Sequence, residues 1–193
     1  RRHFYEVLDG EMDRTRRYRP CISIAMIDLD GFKKYNDKFG HASGDTVLTD
    51  FAKTLREGLR KTDTAFRYGG DEFIVILPAA TAERAKEVIE RINKKWLKQL
   101  EAHMPLADIQ RGFSAGIVQF PENAESVDGL VFLSDTALYY AKRGGKQVFL
   151  IDYAAAQPCT VECPAGSPGC ADPPLRYDPR DAWDQWNNKN PRV

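Results

Sequence analysis

The sequence has no surplus of charge of either sign: 28 Lys and Arg balance 28 Asp and Glu among 193 residues. No global positive field is therefore available to bind nucleic acid by charge alone. Long apolar runs are also missing. None approaches the ~20 residues needed to span a bilayer, and the N-terminus carries no signal-peptide pattern. Together these absences predict a soluble, cytoplasmic chain that makes no membrane contact itself. Histidine is scarce, with three residues in all. None stands at metal-ligand spacing from another, so His41 reads as structural. Cysteine is equally sparse before the C-terminal stretch, where Cys21 alone lies in an apolar run and reads as packed core. Cys159, Cys163 and Cys170 lack the paired Cys-x-x-Cys spacing of a zinc site, and a cytoplasmic setting argues against a stable disulfide.

The length suits one domain of ordinary size with a real core. Composition shifts after Asp152, where most of the prolines, three of the four cysteines and two of the three tryptophans collect. Residues 1–152 read as one domain and 153–193 as a loop-rich tail, in which Trp183 and Trp186 offer docking groups for the domain or a partner. Within the domain, apolar periodicity predicts helices over 3–18, 31–39, 45–59, 81–100 and 127–142. Strands are predicted over 21–27, 64–67, 73–77, 109–120 and 147–151. The small centre Ser114-Ala115-Gly116 in the fourth strand invites close approach by a neighbouring element. This order predicts an α+β fold with a central, mainly antiparallel sheet flanked by helices.

Two places carry chemistry. Gly69-Gly70 favours a tight hairpin between strands 64–67 and 73–77, which presents Asp71 and Glu72 at the start of the second strand. Adjacent carboxylates on a rigid turn suit Mg²⁺, a hard ion with oxygen ligands; taken alone, a solvated acidic turn is the blander interpretation. Upstream, Asp28 follows an apolar strand, an expensive place for a carboxylate without a cation or hydrogen bonds. A strand-end Asp beside a hairpin Asp-Glu is the minimal layout for metal-assisted nucleotidyl transfer. The competing view makes Asp28 a helix N-cap, a role that Asp30 fills at least as well.

Read together, Asp28, Phe32-Lys33, Asn36-Asp37, Gly40-His41, Gly44-Asp45, Arg67 and Gly69-Gly70-Asp71-Glu72-Phe73 resemble the GGDEF family of diguanylate cyclases, over about residues 1–152. The resemblance implies a palm-type, ferredoxin-like nucleotidyl cyclase fold. It also implies condensation of two GTP into cyclic di-GMP and two pyrophosphates, by a homodimer whose domains each hold one GTP. Asp28, Asp71 and Glu72, with the Leu29 carbonyl, would hold Mg²⁺, for which Mn²⁺ can substitute; Asp28, Asp71 and Glu72 are the expected catalytic carboxylates. Asn36 and Asp45 would read guanine, although both also suit turns and caps. Phe32, Lys33, Arg67, Gly69, Gly70, Lys142 and Lys146 complete the expected GTP contacts. Lys146 stands where the family usually has an arginine, so a point charge replaces a bidentate fork.

Arg60 and Asp63 match the family's inhibitory Arg-x-x-Asp site for cyclic di-GMP, and Arg91 is a further arginine for it. The bland alternative there is a surface ion pair of little energetic weight. The family's Asp-x-Leu-Thr segment does not precede Arg1, which predicts a piece of a longer protein with a sensor domain upstream. Two other functions stay open at this stage: a non-catalytic cyclic di-GMP receptor, which the intact Gly-Gly-Asp-Glu disfavours, and a cyclase of relaxed base choice, which Asp45 disfavours.

Overall fold

Ile22–Leu29 forms strand β1, and every residue of it except Asp28 is buried. A strand so apolar on both faces belongs in the middle of a sheet covered on both sides, and β1 sits there. The computed structural model describes residues 1–18, 21–103, 112–143 and 148–150. In chain order these form α1 (Arg2–Tyr18), β1, α2 (Phe32–Phe39), α3 (His41–Gly58), β2 (Thr64–Gly69), β3 (Glu72–Pro78), α4 (Ala82–His103), β4 (Phe113–Phe120), α5 (Val127–Arg143) and β5 (Val148–Leu150). The sheet order is β2-β3-β1-β4-β5. β1 is antiparallel to both β3 and β4, β2 is antiparallel to β3, and β4 and β5 pair in parallel. The α+β, mainly antiparallel expectation is met.

The sheet's two faces have separate cores. Ala25, Ile27 and Leu29 of β1 join Phe73, Val75 and Leu77 of β3 and Phe113, Ala115 and Ile117 of β4 beneath α3 and α4. Phe51 of α3 is the hub there, meeting Phe73, Trp96 and Phe113 edge-on at centroid distances of 4.9, 5.3 and 5.3 Å. Such aromatic geometry adds to the area-based gain of burying four large rings.

The opposite face receives α5, and Gly116 fixes how closely. A Cβ at Gly116 would lie 2.2 Å from both the Leu138 nitrogen and the Ser134 carbonyl oxygen. The helix backbone therefore rests directly on β4, as the small-residue centre predicts. Among the described residues, no helix is long and apolar enough to cross a membrane.

Several boundaries differ from the sequence reading. β1 continues through Leu29, so Asp28 is a paired strand residue and not a helix cap. Asp30 does not cap α2 either: the N-cap is Gly31, in the left-handed region with no side-chain bond. The hairpin turns at Gly70-Asp71, because Gly69 still pairs with Glu72 across a bulge after Arg67. α3 begins at His41 and not at Asp45, which puts Asp45 inside the helix, and Ala52 is exposed instead of core. Thr81 does cap α4, its Oγ1 accepting from the Arg84 amide at 3.4 Å. The expected connector beyond His103, Lys146 and the tail 153–193 lie outside the described residues.

Gly116→Ala must push α5 off the sheet, and we expect a loss of about 3 kcal/mol or more in denaturant unfolding. Gly10, helical with nothing within 4 Å of an added Cβ, is the control. Gly10→Ala should stabilise by roughly 0.5–1 kcal/mol.

Candidate active site

The register of three strands assembles the site. Asp28 of β1 is directly opposite Glu72 of β3 on one side and Ser114 of β4 on the other. Directly paired residues of an antiparallel ladder point to the same face, and like charges so placed repel. This face is the one that α5 covers. Lys142, in the last turn of α5, donates from Nζ to Asp28 Oδ2 at 2.8 Å. The Asp28 side chain is 14% exposed and that of Lys142 43%, so the carboxylate is held inside and the ammonium reaches it from the rim.

Asp30, two residues on, accepts from Ser114 Oγ at 2.8 Å, and its amide donates to the Gly112 carbonyl at 3.1 Å. That bond to β4 is what the capping role gives way to. Its second oxygen, Oδ2, is buried and receives no hydrogen bond among the described residues.

The hairpin is braced on both flanks. Arg67 donates from Nε to the Gly70 carbonyl at 3.0 Å across the turn, so it supports the hairpin. The Leu29 amide donates to the Asp71 carbonyl at 3.4 Å, tying the turn to the end of β1. Beneath it, Arg1 donates to the Tyr68 carbonyl at 3.1 Å and lies over the Tyr68 ring at 4.4 Å. The Tyr5 and Tyr68 hydroxyls are 3.1 Å apart. Burial, and then the bond to Tyr5, hold the Tyr68 phenol well above its usual range. Arg1 and Tyr5 were not singled out by sequence. Their role depends on where α1 meets the hairpin, which no local pattern reveals.

Electrostatics mark the cluster. Burial pushes the Asp28 carboxyl up, opposed by Lys142 and helped by Asp71. Burial also pushes Glu72 up, with further contributions from Asp135 and Asp28. Asp30 and Asp135 shift the same way, burial first. Asp135, on α5, is the acidic residue that the sequence reading missed. A signal existed: Val131, Asp135, Leu138 and Lys142 recur at spacings of four, three and four, one helix face, and Val131 and Leu138 are buried.

Among the described residues no three acidic, histidine or cysteine side chains already converge on one point as metal ligands. The donor set nevertheless fits a hard divalent cation. It offers opposed carboxylates in a half-buried site, an orphaned carboxylate oxygen on Asp30, and the Lys142 ammonium beside them.

Asn36 and Asp45 do not occupy caps. Asn36 lies within α2 and packs its amide against α3 where Gly44 leaves room: a Cβ at Gly44 would fall 1.8 Å from Asn36 Oδ1. Asp45 follows Gly44 and is exposed, as is Lys33, while Phe32 is half-buried and packs on the core below α3.

Arg60 and Asp63 form a closed turn, with the Arg60 amide donating to Asp63 Oδ2 at 2.9 Å and the Asp63 amide to the Arg60 carbonyl at 3.1 Å. No ion pair joins them, which corrects the surface-pair interpretation. The exposed Arg91 donates from Nη2 to the Gly58 carbonyl at 3.0 Å, near the end of α3 that leads into this turn.

The sequence model for the GGDEF domain of diguanylate cyclase matches residues 1–148. The chain is 41% identical over 145 residues to diguanylate cyclase A of Treponema denticola, covering 75% of this chain and 37% of that protein. The GGDEF domain of PA1120 (YfiN or TpbB) from Pseudomonas aeruginosa superposes with a TM-score of 0.69 at 33% identity, covering 79% of this chain and 95% of that one. The GGDEF domain of DgcB from Caulobacter crescentus, solved in complex with c-di-GMP, gives 0.68 at 27% identity, covering 78% and 86%. This chain belongs to the GGDEF domain family. It spans less than half the length of the first curated relatives it matches.

The raised carboxyls have a consequence for metal-free protein. A carboxyl whose folded pKa lies above its unfolded one adds stability below the unfolded value and loses it as pH rises through the folded value. Glu72→Gln should therefore raise the metal-free melting temperature at pH 7.5, and the gain should shrink as the pH falls towards 4. The effect is at most about 1 kcal/mol, because the pair keeps contact with water. Thermal melts of both proteins in chelator across that range check it.

Proposed function

We propose that this chain is the catalytic domain of a diguanylate cyclase, condensing two GTP into cyclic di-GMP and two pyrophosphates. The observation that carries the proposal is the direct cross-strand placement of Asp28 and Glu72, half-buried, with Lys142 on Asp28. Such a pair is costly to the fold on its own, and family membership supplies the chemistry that makes use of it. Asp28, Asp71 and Glu72, with the Leu29 carbonyl, would hold Mg²⁺ or its substitute Mn²⁺. The ion would offset charge on the triphosphate as pyrophosphate departs.

In each half-reaction the 3′-oxygen of one GTP bonds to the α-phosphorus of the other. The bond to the bridging α,β-oxygen breaks, and a carboxylate of the cluster accepts the hydroxyl proton. Two domains facing one another would each present one GTP, so a homodimer is the working unit, and positioning supplies much of the rate. Asn36 and Asp45 would receive the guanine edge, held together by the α2–α3 contact over Gly44. Phe32 and the backbone at Gly69 and Gly70 would wall the nucleotide. Lys33, Lys142 and Lys146 would take phosphate charge, and Arg67 would keep the hairpin in shape. The setting would be cytoplasmic, with an upstream sensor domain in the full protein and residues 153–193 as a loop-rich tail.

Arg60 and Asp63, with Arg91 nearby, would bind product. The exposed Arg60 guanidinium, not engaged by Asp63, supports this reading, since a fork is then available for phosphate or guanine.

With GTP and Mg²⁺, product analysis by chromatography and mass spectrometry should find cyclic di-GMP. Asp28→Asn and Glu72→Gln should each lower its rate by about 10²–10³-fold. Bound dinucleotide without turnover, at concentrations that force dimers, would favour a receptor instead. Arg60→Ala should raise the cyclic di-GMP concentration needed for half-inhibition by about tenfold or more. Unchanged inhibition would remove Arg60 from the product site.

A further inference from the structure

Asp135 of α5, like Asp30, is an acidic group beside this site that takes no direct part in the chemistry proposed for Asp28, Asp71 and Glu72. Its position follows from the seat of α5. The Ser134 carbonyl, immediately before Asp135 in the chain, lies over Gly116. Gly116 is two residues along β4 from Ser114, the cross-strand partner of Asp28. Asp135 and Lys142 are seven residues apart and share a helix face. Side chains on a helix slant towards its N-terminus, so Lys142 leans back from the last turn as it reaches Asp28.

Asp135 is half-buried, and no side chain among the described residues donates a hydrogen bond to it. Its charge nonetheless lies within electrostatic reach of the cluster: after burial it is the largest influence raising Glu72, and its own carboxyl feels both Lys142 and Asp28. It does not converge with Asp28 and Glu72 as a third direct ligand would. A half-buried carboxylate on the helix face of Lys142, without a side-chain donor and set back from the ligand pair, is placed to bind water.

Resting on the cation site proposed above, we propose that Asp135 is a positioning residue. It accepts hydrogen bonds from water bound to the ion that Asp28 and Glu72 hold, and so fixes the outer face of that ion. Mg²⁺ sheds water reluctantly and keeps several molecules in protein sites. Outer carboxylates that orient such waters typically change metal affinity by about 10–100-fold when removed.

The experiment compares the full chain with Asp135→Asn, Asp135→Glu and Asp28→Asn. Mn²⁺ alone is titrated and followed by electron paramagnetic resonance, with thermal melts run with and without the ion. Asp135→Asn should weaken Mn²⁺ binding by about tenfold or more, with an unchanged or higher metal-free melting temperature because a like charge is gone. Asp135→Glu should recover part of the affinity. In turnover, Asp135→Asn should raise the Mg²⁺ concentration for half-maximal rate more than it lowers the rate at saturating Mg²⁺.

Unchanged Mn²⁺ affinity in Asp135→Asn, beside a large loss in Asp28→Asn, would overturn the role of Asp135 and leave the cation site standing. Loss of affinity together with a lowered metal-free melting temperature would also overturn it, marking Asp135 as structural. Unchanged affinity in Asp28→Asn would bring down the cation site and this inference with it.

Discussion

The contact between the α5 backbone and Gly116 is the constraint on which the site depends. Any side chain at that position would lift the helix from the sheet, and the chemistry is arranged on both partners of this contact. β4 carries Ser114, which lies beside Asp28 and binds Asp30. α5 carries Lys142, which reaches Asp28, and Asp135, whose charge acts on Glu72. Interiors packed at this density transmit displacement instead of absorbing it. A shift of the helix by even a fraction of an ångström would alter the Lys142–Asp28 bond. The apolar residues on the same face, Leu130, Ala137, Leu138 and Ala141, hold the contact closed.

On that platform the molecule accepts local frustration. Asp28 and Glu72 are paired across the ladder where opposite charges or apolar groups would serve the fold better. Burial raises both carboxyls, and Lys142 supplies an ion pair to Asp28. Among the described residues, the core on the other face, centred on Phe51, is apolar and pairs no like charges in this way. Departures from local consistency in folded proteins tend to gather where function is located, and here they gather at one end of β1, next to the hairpin.

Much of this was legible in the sequence, and what was not has a common cause. Element order followed from apolar periodicity, and Asp28 was recognisable as a costly carboxylate at the end of a strand. Gly69-Gly70 marks the hairpin in the sequence, but the turn lies one residue further on, because the bulge after Arg67 is a property of the β2–β3 pairing and not of Gly69-Gly70. Asp30 looks like a cap in sequence. It is drawn to Ser114, eighty-four residues away, a partner that only the sheet register supplies. Asp135 and Arg1 were missed for the same reason: each acts across an interface between elements. Asn36 and Asp45 were placed at element ends when both lie inside helices, since the start of α3 at His41 depends on Gly40 turning the chain at φ +84°.

The link from the first turn of α1 to Tyr68 bears on how the hairpin fluctuates. The groups that restrain a segment set how often it opens locally. Here the restraints are Arg1 on the Tyr68 carbonyl and ring, and Tyr5 on the Tyr68 hydroxyl. The same bonds hold the strand that leads into Gly70-Asp71. Displacement of that end of α1 is therefore coupled to displacement of the acidic turn, and whatever stiffens the one also narrows the range of positions open to Glu72.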